Sequence, residues 1–211
     1  MLPFQDLLVF AGACLLLVLT PGPNMLYLIS RAICQGRSAG VVSLAGVVLG
    51  FCVHMLAASL GLTALFMAVP MAFDLLKWAG AAYLLWMAWQ AVRPGAVSAF
   101  AKPQALPAES PRKLFVMGLI TSILNPKVAI FYLAIFPQFV NADYGSVFWQ
   151  SMTLGAVQIS ISFAINLLIT LFAARIAQWF QHNPHWMRVQ KWVMGTVLAG
   201  LAVRLAMEQK R

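Results

Sequence analysis

Six apolar segments, near 4–30, 41–69, 75–92, 114–140, 147–174 and 192–207, take up most of this 211-residue sequence. A helix that crosses a bilayer needs about 20 mainly apolar residues, and these segments reach or approach that length. In lipid every backbone N–H and C=O must be satisfied internally, so such segments have to be helices. Composition agrees: 62% of residues are hydrophobic and 9% charged. Soluble domains carry about 25% charged residues, so this chain lacks the polar surface to cover a globule in water. The sequence therefore predicts an all-α membrane protein of six transmembrane helices. The sixth segment is short, and the first and fourth contain helix breakers, so five spans is the rival count. Trp78, Trp149, Trp179 and Trp192 fall near proposed span ends, where an amphipathic indole prefers the membrane interface.

The longest polar stretch, Arg93 to Lys113, holds Pro94, Pro103, Pro107 and Pro111 and keeps no apolar period. It divides the chain into a first three-helix repeat over 1–97, a cytoplasmic Pro-rich linker over 98–112 and a second three-helix repeat over 113–211. The halves echo each other. Lys77-Trp78 with Gly80 and Leu84 opens the third span, and Lys191-Trp192 with Gly195 and Leu198 opens the sixth. Pro21-Gly22-Pro23-Asn24 interrupts the first span, and Asn125-Pro126-Lys127 interrupts the fourth. Three spans per half is an odd number, so a second copy enters the membrane upside down. The expected architecture is a 3+3 inverted repeat with broken helices 1 and 4.

The net charge of +9 would suggest nucleic acid in a soluble protein. Here the basic residues sit between apolar runs, where they set orientation and meet anionic lipid, and no nucleic-acid partner is expected. Arg31 and Arg37 follow span one, Arg93, Lys102, Arg112 and Lys113 follow span three, and Arg175, Arg188 and Lys191 follow span five. The positive-inside rule then puts both termini in the periplasm, against which stand Lys210 and Arg211 at the chain end. Met1 to Gln5 has no basic residue, Asp6 stands where a basic n-region would be, and the apolar run continues past Cys14. The first segment therefore reads as a retained span rather than a leader.

The broken spans carry the chemistry. Proline removes a backbone donor and clashes with the preceding turn, so Pro21, Pro23 and Pro126 should kink or unwind their helices. The freed backbone groups must be buried in protein or line a wet cavity. A half-helix N-terminus can then hold a carboxylate, for about 0.3–2 kcal/mol. Two structural kinks are the bland alternative, but symmetric breaks with a neighbouring Asn favour a site made of Pro21, Gly22, Pro23, Asn24, Asn125, Pro126 and Lys127. At 1.5 Å rise per residue, Lys127 lies roughly 20 Å into the membrane from the span end near Lys113. A charge at that depth costs about 2.5–3.5 kcal/mol on insertion scales, and it needs a partner or an aqueous cavity unless it snorkels.

Asp6 and Asp74 lie near outer span ends and read as solvated carboxylates, with Asp6 the acid closest to the first break and so a proton-carrier candidate. His54, inside the second span, reads as a neutral imidazole bonded to a neighbouring helix, with a proton relay as the alternative. His182 and His185 fall in a polar turn. Cys14, Cys34 and Cys52 have no paired spacing, so neither a disulfide framework nor a zinc site is expected. No metal motif, paired carboxylate, hydrolase signature or nucleotide-binding motif is present, and neither a cofactor nor direct ATP drive is expected. Gly46 and Gly50, four apart in the second span, should let another helix approach closely, and Gly118 should do the same in span four. The alternative use of this ladder is a homodimer face.

Thr20-Pro21-Gly22-Pro23-Asn24, then Gly36, Gly40, Gly46 and Gly50, then Lys77-x-x-Gly80-Ala81-x-Tyr83-Leu84, Leu124-Asn125-Pro126-Lys127 and Pro137-Gln138-Phe139 resemble the lysine exporter (LysE) superfamily. Within it the likeness is to the homoserine/threonine-resistance (RhtB) branch. It covers nearly the whole chain with the expected order and spacing. The resemblance implies a bacterial inner-membrane exporter of amino acids driven by the proton gradient, not an enzyme. Two positions depart from the family's pattern: Ser122 stands where Asn is common, and Ala88 where Gly often follows the Tyr-Leu motif. The leading expectation is a secondary exporter of small neutral or hydrophobic amino acids such as threonine, homoserine or leucine, with protons and membrane lipid as its other partners. The rival is transport of another small solute or of a metal cation. A cation site would need several inward carboxylates, thiolates or imidazoles, and the spans are poor in them.

Overall fold

Proline and glycine positions cut the apolar segments into the helices of the computed structural model. The structure describes residues 2–68, 70–93 and 107–207, with the backbone alone at 62–77 and at six positions from 181 to 205. Helix α1 spans Phe4–Leu19 and ends because Thr20 precedes a proline, which pushes it to an extended conformation (φ −70°, ψ 122°). Gly22 is fully extended (φ −164°), and α2, Pro23–Gln35, starts with proline at its first position, where no amide is missed. The same grammar recurs later. Ser110 caps α5 (Pro111–Ile123) by accepting a hydrogen bond from the Lys113 amide, and Asn125 is extended before Pro126 opens α6 (Pro126–Ile130). The chain then widens into a π turn over Phe131–Ile135 and a 3-10 turn over Phe136–Phe139. Pro137 has no amide for the preceding turn, and Gln138 Nε2 donates instead to the Ala134 carbonyl at 2.7 Å. The first pair of half-helices is bent by 53° and the second by 44°.

The intervening helices are unbroken: α3 is Arg37–Ala68, α4 Pro70–Val92, α7 Val147–His182 and α8 Pro184–Met207. The described residues hold no strand. Among them, Arg37–Gly61 and Val147–Phe180 are each long and apolar enough to cross a membrane, and four segments are if each bent pair counts as one. Each of the six apolar segments falls on a helix or a bent helix pair, and several of the helices run further than the apolar runs. Helix α2 carries on to Gln35, so Arg31, expected in a loop, is a buried helical residue. Helix α7 continues through Arg175 to His182, and α8 begins at Pro184, so Arg188 and Lys191 are helical too. The linker up to residue 106 and the terminal Lys210 and Arg211 lie outside the described residues, as do the side chains of Asp74 and Lys77.

Packing brings the two bent helix pairs together. Helix α3 crosses α5 so closely that a Cβ at Gly46 would strike the Phe115 carbonyl, one at Gly50 would strike Ser122, and one at Gly118 would strike the Ser43 carbonyl. The glycine ladder thus serves a crossing within this chain. Helix α7 lies against α1, α2 and α3, while α4 pairs with α8. Phe10 on α1 meets Phe131, Phe136 and Phe139 at ring distances of 5.0–5.8 Å, fastening the first half of one bent pair to the second half of the other. Large apolar side chains such as Leu60, Trp89, Trp149 and Trp192 point outward, which suits a lipid solvent rather than water.

Candidate functional site

The end of α1 leaves carbonyls short of intrahelical donors. Lys127, at the start of α6, supplies the donors: its Nζ donates to the Thr20 carbonyl at 2.6 Å and to the Leu17 carbonyl at 3.1 Å. The ammonium also interacts favourably with the negative end of the α1 dipole. The lysine is 7% exposed and lies over Gly22, where a Cβ would meet Cε and Nζ at 3.0 Å. Glycine at that position is what leaves room for the ammonium. An ammonium has three N–H bonds, so one is left after the two carbonyls.

At the second break the carbonyl end of α5 is met by His54, whose Nε2 lies 3.1 Å from the Ser122 carbonyl and whose ring stacks on Tyr132. Helix α6 is closed by its own cap, Asn125 Oδ1 accepting from the Lys127 amide at 3.0 Å. The start of α2 has no such side-chain cap. Asn24 reaches across to the second break, Nδ2 donating to Ser122 Oγ at 3.4 Å. Its Oδ1 and the Nδ2 of Asn125 are buried without a partner.

A small cavity of about 20 Å³ lies between these groups and α7, room for about one water. Lys127 and Asn24 form one wall. Gln158, Ser162 and Asn166 form the other, with Phe51, Met25, Val18 and Val128 as apolar lining. The α7 groups are linked: Tyr132 donates to Gln158 Oε1 at 2.7 Å, Gln158 Nε2 to Ser162 Oγ at 2.8 Å, and Asn166 Nδ2 to the Ser162 carbonyl at 2.8 Å.

Of the residues expected at the site, Gly22, Asn24, Asn125 and Lys127 are buried and adjoin one another across the two breaks, while the rings of Pro23 and Pro126 are exposed and Pro21 is half-buried. His54 joins them through Ser122. Asp6 does not: it stays in the first turn of α1, about 16 Å along the helix from Leu17. Residue-by-residue reading missed Gln158, Ser162, Asn166 and Tyr132. The first three recur every four residues on one face of the helix, and Gln150 and Thr170 extend the same buried stripe. That period was the available signal. No group of three His, Cys, Asp or Glu residues suited to a metal is found among the described residues.

Broken helices crossing at a polar cavity inside an apolar bundle define a class, the multi-pass membrane translocators, in which irregular backbone is tolerated because it lines a cavity. The sequence profile described as "LysE type translocator" matches residues 15–209, and the chain belongs to that family. It is 31% identical over 192 residues to a homoserine/homoserine lactone efflux protein of Salmonella typhimurium, covering 90% of this chain and 91% of that protein. It is 28% identical over 196 residues to a leucine efflux protein of Enterobacter, covering 90% of each. No solved structure matches.

Proposed function

We propose that the protein exports amino acids with small neutral or hydrophobic side chains, such as threonine, homoserine or leucine, across the bacterial inner membrane in exchange for protons. The reading rests above all on the uncapped start of α2 beside Lys127 and Asn24 in a small cavity lined by polar and apolar groups. The substrate carboxylate takes the free amides of α2 and the remaining N–H of Lys127. The α-ammonium takes Asn24 Oδ1, an acceptor with no other partner, together with oxygens of the α7 stripe. Phe51, Met25, Val18 and Val128 favour an uncharged side chain. The relatives' names, homoserine or its lactone in one and leucine in the other, fit that range.

A cavity of about 20 Å³ is too small for any amino acid, so α7 must part from the breaks for substrate to enter and leave. In this reading the six rods are six spans in a 3+3 inverted repeat over 1–97 and 113–211, the linker over 98–112 is cytoplasmic, and both termini are periplasmic. The contacts of α3 with α7 and of α4 with α8 are those such a twofold maps onto themselves. The proton step belongs to Lys127, whose hold on the carbonyl end of α1 weakens when the ammonium loses its charge, with His54 at the second break as the other candidate. A homodimer is not needed for the site.

Purified protein in vesicles should accumulate at least one amino acid against no starting gradient when a proton gradient is imposed, and a protonophore should abolish the accumulation. Equal movement with and without the gradient excludes coupling. No movement of any amino acid excludes the function. In a Cys-free background, Ser38→Cys and Ser110→Cys should resist impermeant thiol reagents in intact cells while Ser146→Cys reacts. Labelling of Ser110→Cys from outside would overturn the orientation.

A further inference from the structure

The site at the breaks uses one buried cation, and the bundle holds another. Arg31 is 6% exposed, seven residues beyond Asn24 on α2. Seven residues are two turns, so Arg31 lies on the same face as Asn24 and about 10 Å further along. Its Nη1 donates to Gln35 Oε1 at 3.1 Å and, at 3.5 Å, to the Pro107 carbonyl. Its Nη2 lies 3.9 Å from the Met117 sulfur, and Nε has no partner. The ring of Tyr27 is beneath it, 5.8 Å from Cζ. All of these partners are neutral.

A desolvated guanidinium without a counter-ion is costly, and the chain has few anions to offer. It contains five acids. Glu109, the one near Arg31 in the described residues, directs its carboxylate to Lys113 at 2.8 Å and its backbone carbonyl to Gln35. The stretch 94–106 contains no Asp or Glu. The unused groups of Arg31 are also the informative ones. Nε and Nη2 form the edge of a guanidinium that grips a carboxylate with two parallel hydrogen bonds. Here Nη1 is engaged, and that edge meets only a thioether.

We propose that Arg31 is a second carboxylate-binding station, at which the Nε–Nη2 edge takes the carboxylate of the amino acid on its way between one mouth of the bundle and the break. The proposal rests on the amino-acid export reading. The 107–110 segment, tied to α2 through Arg31 and Gln35, covers the station when it is empty and has to lift for substrate to reach it. Arg31 is about 10 Å along α2 from Asn24, which lines the cavity beside Lys127, so the carboxylate passes from one cation to the other without returning to water.

The test uses full-length protein in vesicles, with transport of the amino acid that wild type carries best and inhibition by that amino acid's methyl ester, which lacks the carboxylate. Arg31→Gln should raise KM for the acid about tenfold and shrink the preference for acid over ester by a similar factor. Arg31→Lys, which keeps the charge and guards against a folding defect, should raise KM about threefold because an ammonium cannot grip with two parallel bonds. Gln35→Ala, which loosens the cover but leaves the edge intact, should stay within about twofold of wild type. An unchanged acid-to-ester preference in Arg31→Gln, or a Gln35→Ala effect equal to it, would show that Arg31 is only a latch and overturn the proposal. A wild type that moves no amino acid overturns the export reading as well, so the two failures are told apart.

Discussion

Gly22 and Asn125 occupy the same place in the two breaks, each the extended residue directly before the proline that starts a half-helix. Asn125 folds its side chain forward and caps α6 through Oδ1, leaving its buried Nδ2 without a partner. Gly22 has no side chain, so α2 starts without a cap and the space above it is filled by Lys127 from the other half of the chain. One break is finished locally. The other is completed by a residue 107 positions away and keeps unused donors and an unpaired acceptor beside a cavity. Two interruptions that look alike in sequence thus differ in structure, and in the proposed function the second holds the geometry while the first takes the ligand.

The largest effect expected from this contrast is at Lys127. Lys127→Met keeps the length and removes the charge, and export should fall at least about tenfold with expression unchanged, corresponding to about 1.4 kcal/mol of lost stabilisation. Lys210→Met at the chain end should be nearly silent. If a well-folded Lys127→Met exports at the wild-type rate and affinity, the ammonium is only a cap for α1 and the proposed carboxylate site is wrong.

A smaller effect is expected at Gly22, which sharpens the comparison because the residue touches no substrate in the proposed arrangement. Its φ of −164° is open to any residue, so Gly22→Ala brings no backbone strain, only a methyl 3.0 Å from Lys127 Cε and Nζ. The lysine must shift by a few tenths of an ångström, and export should fall about threefold to fivefold, a misplacement effect without loss of the charge. Full activity in Gly22→Ala would mean that the ammonium does not need its observed position.

Much of this was legible from the residues. Proline positions mark the breaks, and the depth of Lys127 marks it as a cation needing company. What Lys127 faces was not legible, because its partners are backbone carbonyls at Leu17 and Thr20, which carry no sequence signature. The polar stripe on α7 was hidden differently: one polar residue in four barely lowers the mean hydropathy of a span. The apolar run stops at Arg31, which by hydropathy belongs to a loop, whereas the helix continues by burying the guanidinium under the end of the linker. Hydropathy records the solvent a residue prefers, not the neighbour that replaces the solvent.

The finest separation of the two breaks comes from their asparagines. Asn125 is an N-cap, and loss of such a cap costs about 1 kcal/mol, so Asn125→Ala should lower the melting temperature of the purified protein by about 2–4 °C. Export should stay within about twofold of wild type, since the bond lost is one within its own half-helix. Asn24 makes one long side-chain bond, to Ser122 at 3.4 Å, and its Oδ1 bonds to nothing. Asn24→Ala should therefore leave the melting temperature within about 1 °C and reduce export more than Asn125→Ala does, with the loss appearing in KM as the ammonium acceptor disappears. Thermal melting and transport, measured on the same two preparations, decide the matter. If Asn125→Ala loses as much transport as Asn24→Ala while its stability is untouched, both breaks bind substrate and the division between a closed break and an open one fails.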